Sequence, residues 1–189
     1  MIFGITGGTG CGKTTALEAL KTLGGVCLDC DAIYHDLLKT DQALLAAIEG
    51  QFPGVVKAGQ LDRKALGRRV FADPAALADL NAITHAAVKR RVLELLPKDG
   101  TPAAIDAIGL FESGLDQLCG VTVGILAPKA DRLRRIMARD GISESYAQMR
   151  LDAQPEDSYF REKCGFILEN TGTEADFRRK SIDFFQKFL

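Results

Sequence analysis

The sequence predicts an α/β fold, a sheet flanked by helices, and three observations carry that expectation. The apolar, β-favourable run MIFGIT leads through the glycine-rich GGTGCGKTT, Gly7 to Thr15, into ALEALKTL, where Ala and Leu recur at helical spacing. Short apolar runs at 26–29, 102–109, 118–126 and 164–170 then alternate with helical segments, as sheet and helix do in this fold class. The 189 residues, 47% hydrophobic and 26% charged, suffice for one sizeable core carrying insertions.

Charge and composition narrow the function. A formal net charge of −1 and a pI near 6.1 remove the electrostatic case for nonspecific binding to nucleic acid or an anionic membrane. No segment approaches the length of a membrane span, and the five-residue apolar start runs straight into the glycine-rich loop, unlike a signal peptide. Five scattered cysteines, Cys11, Cys27, Cys30, Cys119 and Cys164, suit reduced thiols, so a cytoplasmic location is expected. Cys27 and Cys30 spell C-x-x-C, but without a second pair they are read as coincidence.

Gly7, Gly12, Lys13 and Thr14 fit G-x-x-x-x-G-K-[ST], between the strand and helix that this motif requires. Its glycines let successive backbone N–H groups point inward onto a polyphosphate, with Lys13 on the β- and γ-phosphates and the Thr14 hydroxyl on the bridging Mg²⁺. A second strand, VCLD, ends at Asp29-Cys30-Asp31. Two carboxylates at a strand's carboxyl end are candidates for chemistry, because ligands bind along that edge. Asp31 reads equally well as the cap of a helix starting at Ala32.

Residues 32–96 are helix-rich, broken near Phe52-Pro53-Gly54 and at Asp73-Pro74, with no strand of convincing length. Too long for a simple crossover, the block reads as a helical insertion that covers substrate. Leu61-Asp62-Arg63 opens a helix, Lys89-Arg90-Arg91 reads as a solvated face, and His85 as a helix-surface residue. Pro102 to Gly109 is a third strand with Asp106 near its end, and Leu118 to Leu126 a fourth. Residues 130–139 form a helix bearing Arg132, Arg134, Arg135 and Arg139, and Ser143-Glu144 caps a second one carrying Arg150. This pair suits a lid whose guanidinium groups meet a transferring phosphate on closure, and equally an exposed hairpin with solvated arginines. CGFILEN is a fifth strand ending at Asn170, and EADFRRKSIDFFQKFL packs a Phe and Ile face on the sheet.

ITGGTGCGKTT, DCD with Ile33, LDR with Leu66 and Val70-Phe71, Leu80 to His85, LFESGL, RIMARDGIS, MRLDAQ and ILENTG occur in the order found in dephospho-coenzyme A kinases, and over nearly its whole length the chain resembles that family. The resemblance implies a P-loop kinase three-layer fold with a five-stranded parallel sheet: core 1–31, 102–128 and 164–189, helical substrate insertion about 32–98, lid about 129–163. It implies MgATP-dependent phosphorylation of the ribose 3′-hydroxyl of dephospho-CoA, the last step of coenzyme A synthesis. ATP and dephospho-CoA are then the small-molecule partners, and no obligate protein partner is implied. Asp31 resembles the residue that holds and deprotonates the acceptor hydroxyl. Gly10, Cys11, Gly12, Lys13, Thr14 and Thr15 would bind ATP, Asn170 would lie near the adenine, and Arg139 would stabilise phosphate charge, with Arg150 second to it. Arg63 and His85 would contact dephospho-CoA, and Asp106 would hold Mg²⁺ through water beside Thr14.

The chain departs from the family pattern at Cys30 in the DxD element, at His35 in place of an arginine, at Ile108-Gly109, and at Ala86 after His85. These departures touch substrate contacts and leave the phosphate motif intact. A kinase for another small hydroxyl compound remains a second reading. A GTPase switch is a third, since Asp106-Ala107-Ile108-Gly109 spells D-x-x-G and Pro128-Lys129-Ala130-Asp131 resembles a guanine-reading motif lacking its amide.

Overall fold

The computed structural model describes residues 1–189. Five strands, β1 (Ile2–Thr6), β2 (Val26–Asp29), β5 (Ala103–Asp106), β6 (Val121–Leu126) and β7 (Phe166–Glu169), form one sheet in the order β2-β5-β1-β6-β7. The pairs β1–β5, β1–β6 and β6–β7 are parallel, with Ile5 beside Asp106 and Val123. β1 is thus central, and the loop after it leaves the carboxyl edge of the sheet where connections diverge to either side.

Side-chain alternation on β6 separates the two layers of helix. Val121, Val123 and Ile125 face the core built with α1 (Lys13–Thr22) and α9 (Glu174–Phe185), while Leu126 faces Phe160 of α8 (Asp157–Lys163). Glycine at 124 admits α8, because a Cβ there would meet Ile167, Cys164 and Phe160. Phe3 meets Phe185 and Phe188 edge-on at centroid distances of 4.9 and 5.9 Å, which locks the end of α9 to the central strand. A 3-10 turn at Asp116–Leu118 delivers the chain into β6, so the fourth strand begins at Val121. α6 (Lys129–Asp140) and α7 (Glu144–Asp152) pack through Ile136, Ala147 and Leu151. The last turn of α6 ends on Gly141 at φ 64, and Ser143 caps α7 as its position in the sequence predicts.

The chain divides into two compact units, residues 1–28 with 97–189, and residues 29–96. The second unit holds α2 (Cys30–Thr40), α3 (Gln42–Gln51), α4 (Arg63–Val70) and α5 (Pro74–Leu95) around Leu37, Leu45, Ile48, Leu66, Val88 and Val92, all buried. Each of its helices starts on an aspartate whose carboxylate accepts a first-turn N–H: Asp29, Asp41, Asp62 and Asp73. Two corrections to the sequence reading arise here. The segment contains a small hairpin, β3 (Val56–Lys57) with β4 (Gln60–Leu61), too short for a period-2 pattern to register. Its two-residue turn carries Ala58 at φ 50 and Gly59 at φ 74, the conformation that closes tight hairpins. And α2 begins at Cys30 on Asp29, so Asp29, not Asp31, is the cap: the Asp29 Oδ1 accepts from the N–H groups of Asp31 and Ala32 at 2.9 and 3.0 Å. No helix is long and apolar enough to cross a membrane.

Candidate active site

β1 is buried along its length and ends at Thr6, whose hydroxyl donates to the Ile108 carbonyl at 3.1 Å. The chain then loops through residues 7–12 and enters α1 at Lys13. Gly12, the residue before that helix, sits at φ 103, and a Cβ on it would collide with the Asn170 amide, so the position requires glycine on both counts. No side chain caps α1, which leaves the N–H groups of its first turn directed at whatever lies before the helix. With the helix dipole behind them, they form an anion site.

The carbonyls of the loop are tied down by side chains. Lys13 donates to the Gly7 carbonyl at 2.9 Å, Arg132 Nε to Thr9 at 3.0 Å, Arg135 to Gly10 at 3.2 Å and Asn170 Nδ2 to Cys11 at 3.0 Å. Holding these oxygens leaves the N–H groups that lead into α1 to a ligand. Gln154 adds a two-point clasp on Thr9: its Oε1 accepts the Thr9 N–H at 2.8 Å and its Nε2 donates to the Thr9 hydroxyl at 2.6 Å. Arg132, only 7% exposed, also donates to Gln154 Oε1 at 3.0 Å and lies 3.7 Å from the Asp157 carboxylate, so its buried charge is paired. Burial pushes the Cys11 thiol up against the opposing pull of Lys13 and Arg132, which keeps it a protonated wall of the loop.

The other residues singled out in the sequence fall into distinct settings. Thr14 is exposed in the first turn of α1, beside half-buried Lys13 and Thr15. Asp106 is half-buried at the carboxyl end of β5, one strand from the loop. Asn170 is buried against the loop itself, its Nδ2 on Cys11 and its Oδ1 accepting from Arg135 at 3.4 Å. Asp31 is exposed in the first turn of α2 and relieved of capping. Arg63 is the exposed first residue of α4, with its charge opposing the upward push that burial gives the Tyr34 phenol. His85 is half-buried on α5, and His35 lies four residues from Asp31 with its Nδ1 2.7 Å from that residue's carbonyl oxygen.

Arg139 stands apart from the loop's own arginines. Its guanidinium binds Asp140 at 2.6 and 3.0 Å, and Arg150 binds the same carboxylate at 2.6 Å, so one aspartate joins the end of α6 to α7. Hydrogen bonds from these two arginines hold the Asp140 carboxyl well below the usual carboxylate range. Arg139 is the arginine the family resemblance singles out, whereas Arg132 and Arg135 of the same helix are the ones that touch the loop, together with Gln154, to which the resemblance gives no role. The available signal was spacing: Arg132 and Arg135 flank Leu133 and Ile136, the buried side of α6, while Arg134 and Arg139 point to solvent.

The residues that would read guanine in a GTPase are otherwise engaged. Lys129 of α6 pairs with Asp152 of α7 at 2.8 Å, and Asp131 pairs with Arg134 within α6 at 2.8 Å. All five cysteines are free thiols, and no three His, Cys, Asp or Glu side chains cluster as a metal site.

Comparison with known proteins agrees with this geometry. Residues 1–176 match the family model described as dephospho-CoA kinase. A dephospho-CoA kinase of Thermus thermophilus is 37% identical over 180 residues, spanning 95% of this chain and 87% of that protein, and one of Anaeromyxobacter dehalogenans is 38% identical over 177 residues, spanning 90% and 84%. Among solved structures, a Thermus thermophilus protein superposes with a TM-score of 0.81 at 34% identity, covering 100% of this chain and 98% of its own. The dephospho-CoA kinase of Campylobacter jejuni follows at 0.71 and 32%, covering 99% and 96%. A shikimate kinase of Acinetobacter baumannii, at 16% identity and 0.51, shares the fold alone. The chain belongs to the dephospho-CoA kinase family of P-loop kinases, enzymes of the last step of coenzyme A biosynthesis.

Proposed function

We propose that the chain transfers the γ-phosphoryl group of ATP to the ribose 3′-hydroxyl of dephospho-CoA, with Asp31 as the group that orients and deprotonates that hydroxyl. Family membership supports the reaction. The observation that carries the assignment of Asp31 is the division between two neighbouring aspartates: Asp29 performs the capping, which leaves the Asp31 carboxylate exposed and available for a substrate. Phosphoryl transfer passes through a loose transition state, so positioning and charge stabilisation supply most of the catalysis. The amides after Gly12 and the Lys13 ammonium hold the β- and γ-phosphates, and Asn170, through Cys11, keeps the loop in the shape that presents those amides. Asp31 accepts the hydroxyl proton late, so an ordinary carboxylate suffices. Arg139 joins the transferring phosphate only in a closed arrangement, exchanging its contact with Asp140 for one with developing charge.

The residues present fit Mg²⁺. The Thr14 hydroxyl and Asp106 are hard oxygen donors, and a site lacking a cluster of carboxylates suits an ion that keeps its waters and shares phosphate oxygens. Bound there, Mg²⁺ supplies neutralisation of phosphate charge. Arg63 and His85 contact the acceptor in this reading. The enzyme works in the cytoplasm, where its five free thiols persist, on two small-molecule substrates and without nucleic acid, membrane or an obligate protein partner. The test follows ADP release from MgATP with and without dephospho-CoA, then with AMP, shikimate and GTP. Stimulation by dephospho-CoA alone is expected; stimulation only by another acceptor would replace the substrate and keep the kinase.

A further inference from the structure

Asp140 is the last residue of α6, where a helix presents its unpaired carbonyls and the negative end of its dipole, so a carboxylate there works against the helix that carries it. Three N–H groups offset that repulsion: two of Arg139, at 2.6 and 3.0 Å, and one of Arg150 on α7, at 2.6 Å. With both guanidinium groups on it, the Asp140 side chain is only 23% exposed. The hairpin has other means of keeping its shape. Ile136, Ala147 and Leu151 are buried between α6 and α7, and Lys129 of α6 donates to the Asp152 carboxylate of α7 at 2.8 Å. A neutral residue at 140 would end α6 without opposing its dipole. What the carboxylate supplies is an anion on which two arginines of different helices converge, the same part that a phosphoryl group plays for guanidinium.

We propose that Asp140 stands in for the transferring phosphate: it occupies Arg139 and Arg150 until both substrates are in place, and so withholds their charge from ATP that has only water to react with. The inference rests on the reading of Arg139 as a group that meets the transferring phosphate, and of dephospho-CoA as the acceptor. Asp140 is then a positioning residue, since it acts through the two arginines. To reach phosphate, the pair must give up the carboxylate. With ATP alone the exchange is one anion for another and is close to balanced. In the transition state charge spreads over three oxygens, which suits two guanidinium forks better than a single carboxylate does. Contacts that the acceptor makes away from its reacting hydroxyl tip the exchange, as binding of a correct substrate drives a site to completion. Water makes no such contacts, so ATP without acceptor leaves the arginines on Asp140, and its hydrolysis to ADP and phosphate stays slow.

The test measures ADP release from MgATP without acceptor and with dephospho-CoA, and takes the ratio of the two rates, which does not depend on the fraction of enzyme that is folded. Asp140→Asn keeps the size of the side chain and removes its charge. It should raise the ratio about tenfold, the scale of one charge-assisted hydrogen bond, and lower the ATP KM severalfold. Asp140→Glu, which retains a carboxylate for the arginines, should recover much of the wild-type ratio. An unchanged ratio in Asp140→Asn overturns the proposal whatever its melting temperature, and so does a ratio raised equally in Asp140→Glu, because the charge would then not be what matters. A folded Asp140→Asn enzyme that has lost its dephospho-CoA-dependent turnover also overturns it, since Asp140 would be needed to aim the arginines rather than to hold them back. Should that variant not fold, Asp140→Ser is judged by the same ratio. Failures of the underlying reading are told apart because Asp140 is intact in them: a wild type that dephospho-CoA does not stimulate, or an Arg139→Ala enzyme with wild-type kcat, removes that reading and the inference with it.

Discussion

In the phosphate loop, the carbonyls of Thr9, Gly10 and Cys11 are bound by side chains 123, 125 and 159 residues away in the sequence. In residues 29–96, by contrast, each helix start is bound by an aspartate two or three residues away. The helical unit is assembled from elements that each specify their own ends, and burial of a leucine-rich face then joins them. Lys13 on the Gly7 carbonyl is the loop's one short-range side-chain tie, and because the N–H groups leading into α1 must stay available for phosphate, its other carbonyls find partners elsewhere. Its shape therefore depends on the arginine helix and the last strand being in place.

Substitutions at either kind of contact put this contrast to the test. The largest effect is expected at Lys13, which spans the loop to Gly7 and carries the charge for the phosphates. Lys13→Met should lower kcat by about 10³-fold or more while the melting temperature stays within a few degrees; a large fall in melting temperature would make Lys13 a structural strut. Next come the two aspartates at the start of α2. Asp31→Asn should cut kcat by about 10²-fold, the scale of a lost general base, with the ATP KM and the stability unchanged. Asp29→Ala should instead cost about 1 kcal/mol of stability, the worth of a helix cap. If the two results were exchanged in denaturant melts and kinetics, the division of labour between them would be wrong.

The clasp on Thr9 should give a smaller, specific effect. Gln154→Ala removes two bonds to Thr9 and one from Arg132, and should raise the ATP KM by about tenfold, a loss of about 1.4 kcal/mol, with kcat less affected. Gln154→Glu, which keeps the acceptor, should recover part of the affinity. An ATP KM unmoved in both variants would show that the loop holds its shape without long-range help.

Acid should loosen the hairpin of α6 and α7 through the carboxylate that its two arginines share. The folded Asp140 carboxyl lies below its unfolded value, so its contribution is complete above the ordinary carboxylate range and is lost as pH falls toward the folded value. The wild type should lose melting temperature below pH 4 with an extra slope that Asp140→Asn lacks. Equal slopes would mean that the shared carboxylate does not stabilise the hairpin of α6 and α7. The smallest effect is local: Ala58→Gly relieves a positive φ in the β3–β4 turn and should raise stability by about 0.5–1 kcal/mol, read by denaturant melting.

How far each region could be read in advance follows from the same contrast. The strand, glycine loop and helix at the amino end were legible because the motif and its flanks are contiguous, and so were the starts at Asp62 and Ser143. The β3–β4 hairpin was not, since two-residue strands carry no period, and neither was the 3-10 turn at Asp116–Leu118 that shortens the fourth strand. Asp29 and Asp31 differ by two residues of the same type at one helix start. Only the observed backbone, in which Asp29 is extended at φ −82 and ψ 107 and Asp31 already helical, separates the cap from the free carboxylate.

By itself the sequence determined the phosphate motif, the succession of the five sheet strands and the main helices, and the family, all of which depend on residues near one another in the chain or on their linear order. The tertiary structure alone decided which of the α6 arginines serve the loop, and that Asn170 and Gln154 brace it. Those facts depend on which faces of distant elements are buried against each other, and burial is a property of the assembled chain that no local pattern encodes.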